Sequence, residues 1–207
     1  MKHRALRSLF TTDEATLQGV VEVLLDPPRT HVGEFRLVVD GTKKKGDGRF
    51  GFVDIFVVDE SGSAVILELK DIRLQGLVSG REGRWHKPNY FAMEDIETKV
   101  ADMEDQSLNQ MDYMYWSADQ QKPVRTTVGQ MRKDAMAKLE KYMQVVKMGP
   151  PKSRSDSGVL DGRVKVSDTA TPRTLHGFTL MAVGGRRILW EAANTIQADF
   201  SYVCSLA

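Results

Sequence analysis

Three strand-length apolar runs follow one another with only turns between them, and this most limits what the chain can become. Residues 32–39 (VGEFRLVV), 50–58 (FGFVDIFVV) and 63–72 (SAVILELKDI) are rich in Val, Ile, Leu and Phe. The Lys- and Gly-rich stretch Thr42 to Gly48 separates the first two, and Asp59-Glu60-Ser61-Gly62 forms a tight turn before the third. Sequential strands joined this way point to antiparallel pairing. Ala64 to Leu67 is apolar on both faces, as expected of a central strand.

Helical patterns flank this block. Thr11 followed by Glu14 is a capping-box pattern, after which Leu17, Val20, Val21, Leu24 and Leu25 recur at helical spacing until Pro27-Pro28. Val128, Met131, Ala135, Leu139, Met143 and Val146 mark one buried stripe of a helix over 128–147, ended by Gly149-Pro150-Pro151. A hairpin closes the pattern, with 175–183 and 186–190 joined at Gly184-Gly185. Residues 73–128 read as a charged surface insertion carrying one or two helices between Met93 and Tyr113, and 152–171 as a mobile loop. No internal repeat is visible. The order predicts one α/β domain over 1–207, a three-layer α/β/α sandwich around a mixed sheet.

Composition removes several functions. The single cysteine, Cys204, excludes an internal disulfide framework and a Cys-rich zinc site, and fits a reducing compartment. His3, His31, His86 and His176 are scattered without ligand spacing. There is no P-loop, so any ATPase partner is expected on another chain or outside these residues. No apolar run nears 18 residues, and the Met1-Lys2-His3-Arg4 start has too few apolar followers (Leu6, Leu9, Phe10) for a signal peptide. An intracellular protein without membrane partners is expected, in nucleus or cytoplasm.

The net charge of +1 hides a strong pattern. Residues 93–119 hold eight acids against one Lys, and 120–154 hold nine Lys or Arg against two acids. Residues 29–49 carry six Lys or Arg, with Lys43, Lys44 and Lys45 in a row. Such blocks are either solvated faces or phosphate footprints. Trp85, Tyr113, Tyr115 and Trp116 either stack bases or anchor the insertion to the core.

Chemistry concentrates on three charges inside apolar strands. Asp54 lies between Val53 and Ile55; Glu68 and Lys70 flank Leu69 and share a strand face. Charges there are costly unless paired or metal-bound. Two carboxylates from adjacent strands make a hard-oxygen site for Mg²⁺ or Mn²⁺, with the Leu69 carbonyl as a further ligand. Such a metal activates water, and a neighbouring ammonium orients it or neutralises charge. The competing reading is a buried Glu68–Lys70 or Asp54–Lys70 salt bridge that fixes strand register.

This arrangement resembles the PD-(D/E)XK nuclease superfamily. The resemblance runs through Asp13-Glu14-Ala15-Thr16, Gly51-Phe52-Val53-Asp54, Leu67-Glu68-Leu69-Lys70 and Ala137-Lys138-Leu139-Glu140-Lys141-Tyr142, and covers most of the chain. More narrowly, it is similar to nuclease-like domains of fungal proteins, some attached to AAA-type ATPase or Crinkler-like modules. It implies a restriction-endonuclease-like core (αβββαβ) and divalent-metal hydrolysis of nucleic acid, DNA foremost, by an enzyme type that often forms homodimers. Asp54 and Glu68 match the metal-binding acids, and Lys70 the catalytic lysine. Glu14 matches a first-helix acid that binds a second metal or its water; its alternative is an ordinary capping Glu. RecB-like members place Gln four residues before Tyr142, where this chain has Lys138. A Lys there either contacts phosphate in place of the Gln or signals decay of the site. Gln130 is a substitute on roughly the same helix face. With Lys141, Tyr142 and Lys43 to Lys45, these are the candidate nucleic-acid contacts. The alternatives to a nuclease are an inactive nuclease-fold module that binds nucleic acid or protein, and a scaffold recruited through the acidic 93–119 segment.

Overall fold

The computed structural model describes residues 13–25 and 30–204. Helix α1 (Glu14–Leu24) precedes strands β1 (Thr30–Val38), β2 (Phe50–Val58) and β3 (Ala64–Ile72). Helices α2 (Leu74–Glu82), α3 (Tyr90–Ala101) and α4 (Asp105–Gln110) lead into strands β4 (Asp112–Ser117) and β5 (Lys122–Thr127). Helix α5 (Val128–Lys147) is followed by β6 (Gly158–Val159), β7 (Val164–Val183), β8 (Arg187–Ala192) and β9 (Ile196–Cys204). The architecture is mixed α/β. Seven strands form one mixed sheet in the order β6-β1-β2-β3-β7-β8, with β9 also on β7, and β4-β5 make a separate hairpin. Among the described residues, no helix is long and apolar enough to cross a membrane.

The chain divides into two compact units. One comprises residues up to Leu17, Leu69–Ala135 and Leu180–Trp190; the other comprises Gln18–Glu68, Met136–Thr179 and the residues from Glu191 onward.

The second unit holds the strand block. β1 and β2 pair antiparallel from Thr30↔Val58 to Val38↔Phe50, and β2 and β3 from Ile55↔Leu67 to Val58↔Ala64, as the short turns predict. Phe35 stacks on Phe56 at 4.1 Å, and the Tyr202 ring meets Phe56 edge-on at 5.5 Å. Leu139, Met143 and Val146 bring the stripe of α5 into the same core. Burial of each such side chain stabilises the unit by about 1.5–3 kcal/mol. Tyr202, itself buried, donates its hydroxyl proton to the Val146 carbonyl at 2.8 Å, satisfying an acceptor near the end of α5. Gly149 then ends the helix in the left-handed region.

The first unit overturns one expectation. Residues 73–128 are not a surface insertion. Leu74, Leu77, Val78, Ile96, Val100, Leu108, Tyr113 and Val128 are buried together with Ile72, Met181, Val183 and Leu189. These helices are nine, twelve and six residues long, so each buries too few apolar residues to show a periodic stripe. Glycines allow the close packing: a Cβ on Gly76 would lie 2.2 Å from the Tyr113 ring, and one on Gly80 2.2 Å from the Asp112 carbonyl oxygen. Arg187 fastens the end of α3 by donating to the Val100 and Ala101 carbonyls, and pairs with Asp105.

Other differences are local. The expected loop over 152–171 contains β6 and the start of β7. Residues Val164 to Asp168 pair with Cys204 to Phe200, and a bulge separates Asp168 from Arg173 before pairing resumes. The partner, β9, had a legible signal that the sequence reading passed over: Ile196, Ala198, Phe200 and Tyr202 alternate with Gln197, Asp199 and Ser201 at the period of a strand. Thr11 and the Pro27-Pro28 stop lie outside the described residues. The cap of α1 that is described comes from Asp13, whose carboxylate accepts from the Thr16 amide at 3.0 Å and hydroxyl at 2.9 Å. The expected apolar stripe of α1 is only half used: Leu17 and Val21 are half-buried, whereas Leu24 is 73% exposed.

Candidate functional site

Pairing alone creates an electrostatic problem in the second unit. Asp54 stands between the buried Val53 and Ile55, and both Asp54 and Glu68 lie one residue beyond Ile55↔Leu67, the end of the paired stretch of β2 and β3. Like charges close together on neighbouring strands destabilise the sheet. Both are buried, Asp54 at 7% and Glu68 at 1% exposure. They need a cation.

Helix α5 supplies one. The Lys138 ammonium donates to Glu68 Oε1 at 2.8 Å and lies 4.0 Å from Asp54 Oδ1. Burial alone would push the Lys138 pKa down; the charge and hydrogen bond of Glu68, with the charge of Asp54, outweigh it and raise it. The ammonium also sits 5.3 Å from the ring centroid of Tyr142, one helical turn on. Burial pushes the Tyr142 hydroxyl pKa up. Gly51 makes this packing possible. A Cβ there would lie 2.8 Å from Tyr142 Cε1 and hydroxyl, and 2.6 Å from Val39 Cγ2.

The first unit contains the end of β3 from Leu69 onward, with charges of its own. Lys70 donates to both Glu14 carboxylate oxygens at 3.1 Å. Glu14 is in the first turn of α1, where the helix dipole favours a carboxylate. Its side chain is 45% exposed, which keeps the energy of the pair small. Next to Lys70, burial pushes the Asp71 pKa up to about 6; Arg73, with Nε at 3.4 Å, opposes the shift, and Glu14 and Asp13 add to it. Along β3, Glu68 and Lys70 are two residues apart and lie on one face of the strand.

The remaining candidates are dispersed. Lys43, Lys44 and Lys45 are exposed in the turn between β1 and β2, with Lys43 3.8 Å from Asp40. Arg49 ties that turn to the 150–156 segment, donating to the Lys43 carbonyl at 3.1 Å and the Arg154 carbonyl at 2.6 Å. Arg49, Lys152 and Arg154 line an open cleft there. Gln130 belongs to the first unit. Its backbone amide is capped by the Thr127 hydroxyl at 3.1 Å, and its side chain donates to Asp134 at 2.8 Å. Lys141 is exposed. Tyr113 is a core residue rather than a base platform, whereas Trp116 is 53% exposed. His3 lies outside the described residues, and among those described no three or more His, Cys, Asp or Glu gather to hold a metal.

Sequence reasoning missed three features. The first is the use of Lys138, whose spacing from Tyr142 was legible but whose partners were not. The second is Asp71, a charge within the strand that its neighbours Glu68 and Lys70 overshadowed. The third is Glu97, 1% exposed, which accepts from the Gly185 amide at 2.9 Å and lies 3.9 Å from Arg186. It braces the β7–β8 turn, and no sequence signal distinguishes it from the other acids of α3. Compared with family models, curated proteins and solved structures, the chain matches none.

Proposed function

We propose that this chain is a metal-dependent nuclease that hydrolyses phosphodiester bonds of nucleic acid, DNA foremost, on a restriction-endonuclease-like three-layer core. The observation that carries the reading is the pair of buried carboxylates, Asp54 and Glu68, on neighbouring strands and both within 4.0 Å of one ammonium. The donor chemistry fits Mg²⁺ or Mn²⁺, which bind through one or two carboxylates and keep several waters. Asp54 and Glu68, with the Leu69 carbonyl, would hold the ion. A bound metal supplies an activated water and neutralises charge on the phosphoryl group.

The chain's own residues do the rest. Lys70, two residues beyond Glu68 on the same strand, supplies an ammonium that orients the attacking water or offsets phosphoryl charge. Glu14, 3.1 Å away, holds that ammonium in place. Lys43, Lys44 and Lys45 hold the nucleic-acid backbone without reading sequence.

A specific observation also favours a second reading. Lys138 already donates to Glu68 and lies 4.0 Å from Asp54, as it would in an inactive nuclease-fold module that binds nucleic acid or protein. Labelled single- and double-stranded DNA, incubated with Mn²⁺ or Mg²⁺ and with an EDTA control, separates the two. The nuclease reading expects metal-dependent cleavage that falls at least about a hundredfold in Asp54→Asn, Glu68→Gln and Lys70→Ala. Cleavage retained in all three sinks it. DNA binding by folded protein without cleavage in either metal establishes the module.

A further inference from the structure

We infer that Lys138 is a built-in counter-ion occupying the cation position of the acid pair, which a divalent metal must displace in order to bind. The inference rests on the metal-site reading above and adds a control to it. Two buried carboxylates within 4.0 Å of one point repel each other, and a positive charge between them favours the ionised form of both. The position where that charge belongs is marked by Lys138 Nζ, 2.8 Å from Glu68 Oε1 and 4.0 Å from Asp54 Oδ1. A metal ion held by the same oxygens would be within a few ångströms of a like charge, so metal and ammonium compete.

The side chain suits displacement. It is 34% exposed, against 1% for Glu68, so the ammonium has a solvated route off the acids while they stay fixed in their strands. Its contact with the Tyr142 ring is a second, weaker hold that does not depend on the acids. A Gln at 138 would keep a hydrogen-bond donor and remove the charge. Lys138 is therefore a positioning residue that sets how much metal is needed to load the site.

The test is Mn²⁺ binding by the full chain, read by electron paramagnetic resonance and by isothermal titration calorimetry without nucleic acid. Wild type, Lys138→Gln, Lys138→Met and Lys138→Gln/Asp54→Asn are compared, with circular dichroism to confirm folding. Lys138→Gln is expected to bind Mn²⁺ about 10–100-fold more tightly than wild type, the scale of losing a competing hydrogen bond to a charged group. Lys138→Met is expected to follow if it folds, and the double variant to lose the gain. Equal affinity in wild type and Lys138→Gln overturns the inference. So does a gain that survives Asp54→Asn, because the metal would then be bound elsewhere. Absence of Mn²⁺ binding in every variant overturns both the inference and the metal-site reading. A tight Lys138→Gln site in a protein that never cuts DNA upholds the inference and refutes the nuclease alone.

Discussion

Replacing Lys138 by Met removes one ammonium and keeps most of the stem, which isolates the value of the charge to the fold. Removing one partner of a fully buried ion pair costs about 3–5 kcal/mol, because the other charge is left desolvated. Glu68 meets that condition at 1% exposure, but the Lys138 side chain is 34% exposed, so water reaches part of the site and replaces some of what is lost. The expected destabilisation is therefore about 2–3 kcal/mol. For a chain of this length that lowers the melting temperature by roughly 4–12 °C. Urea unfolding followed by circular dichroism measures it directly. Glu68→Gln in the Lys138→Met background is expected to recover most of the loss, since a neutral amide no longer needs the ammonium, and the double-mutant cycle gives the coupling. A loss below about 0.5 kcal/mol, the value of an ordinary surface pair, would refute the claim that the acids depend on Lys138.

Three other perturbations probe different parts of the molecule. Gly51→Ala is expected to cost about 1–3 kcal/mol, because the new methyl overlaps Tyr142 and Val39; unchanged urea stability would contradict the packing. Asp71 ionises near pH 6 when folded against 3.8 otherwise, so its charge costs about 2–3 kcal/mol above pH 6. Only the folded state takes up this proton between about pH 6 and pH 4, so stability from this group rises as pH falls through that window, and Asp71→Asn is stabilising at pH 7 with that slope removed. Asp161, held down to about 2 chiefly by its hydrogen bonds from Arg163, works in the opposite sense and loses its contribution as pH falls from about 4 toward 2. Melting curves of the wild type and Asp71→Asn across pH 4–7 check the first sign. Replacing Lys43, Lys44 and Lys45 by Ala is expected to weaken DNA binding and flatten its log–log salt dependence by roughly 2–3 units. An unchanged slope would remove that turn from the interface.

The candidate site was legible as residue types, and only partly as geometry. Asp54, Glu68 and Lys70 stood out because charges inside strands of Val, Ile, Leu and Phe demand an explanation. Their period-two spacing placed Glu68 and Lys70 on one strand face. Lys138 stands out in the sequence only as a departure from a familiar pattern, which leaves phosphate contact and decay of the site both open. Its use as a counter-ion depends on where α5 lies against the sheet, which nothing local to positions 137–142 encodes. The insertion was misread for a related reason. Its short helices bury Leu74, Leu77, Ile96 and Leu108 in a shared core, and no single helix is long enough to show that in its own pattern.

Local rules determined the antiparallel order of β1, β2 and β3, the limits of α5 and the turn at Gly184-Gly185. In each, hydrophobic period and turn chemistry act within a few residues of one another. Tertiary structure alone decided that β7 reaches back to Val164, because its partner there, Cys204, lies forty residues away and the pairing is carried by backbone groups that any residue supplies. It also decided that Lys138 donates to Glu68 Oε1 at 2.8 Å, across seventy residues of chain. Periodicity assigns a residue to a face; the partner on that face is chosen by packing of the whole unit.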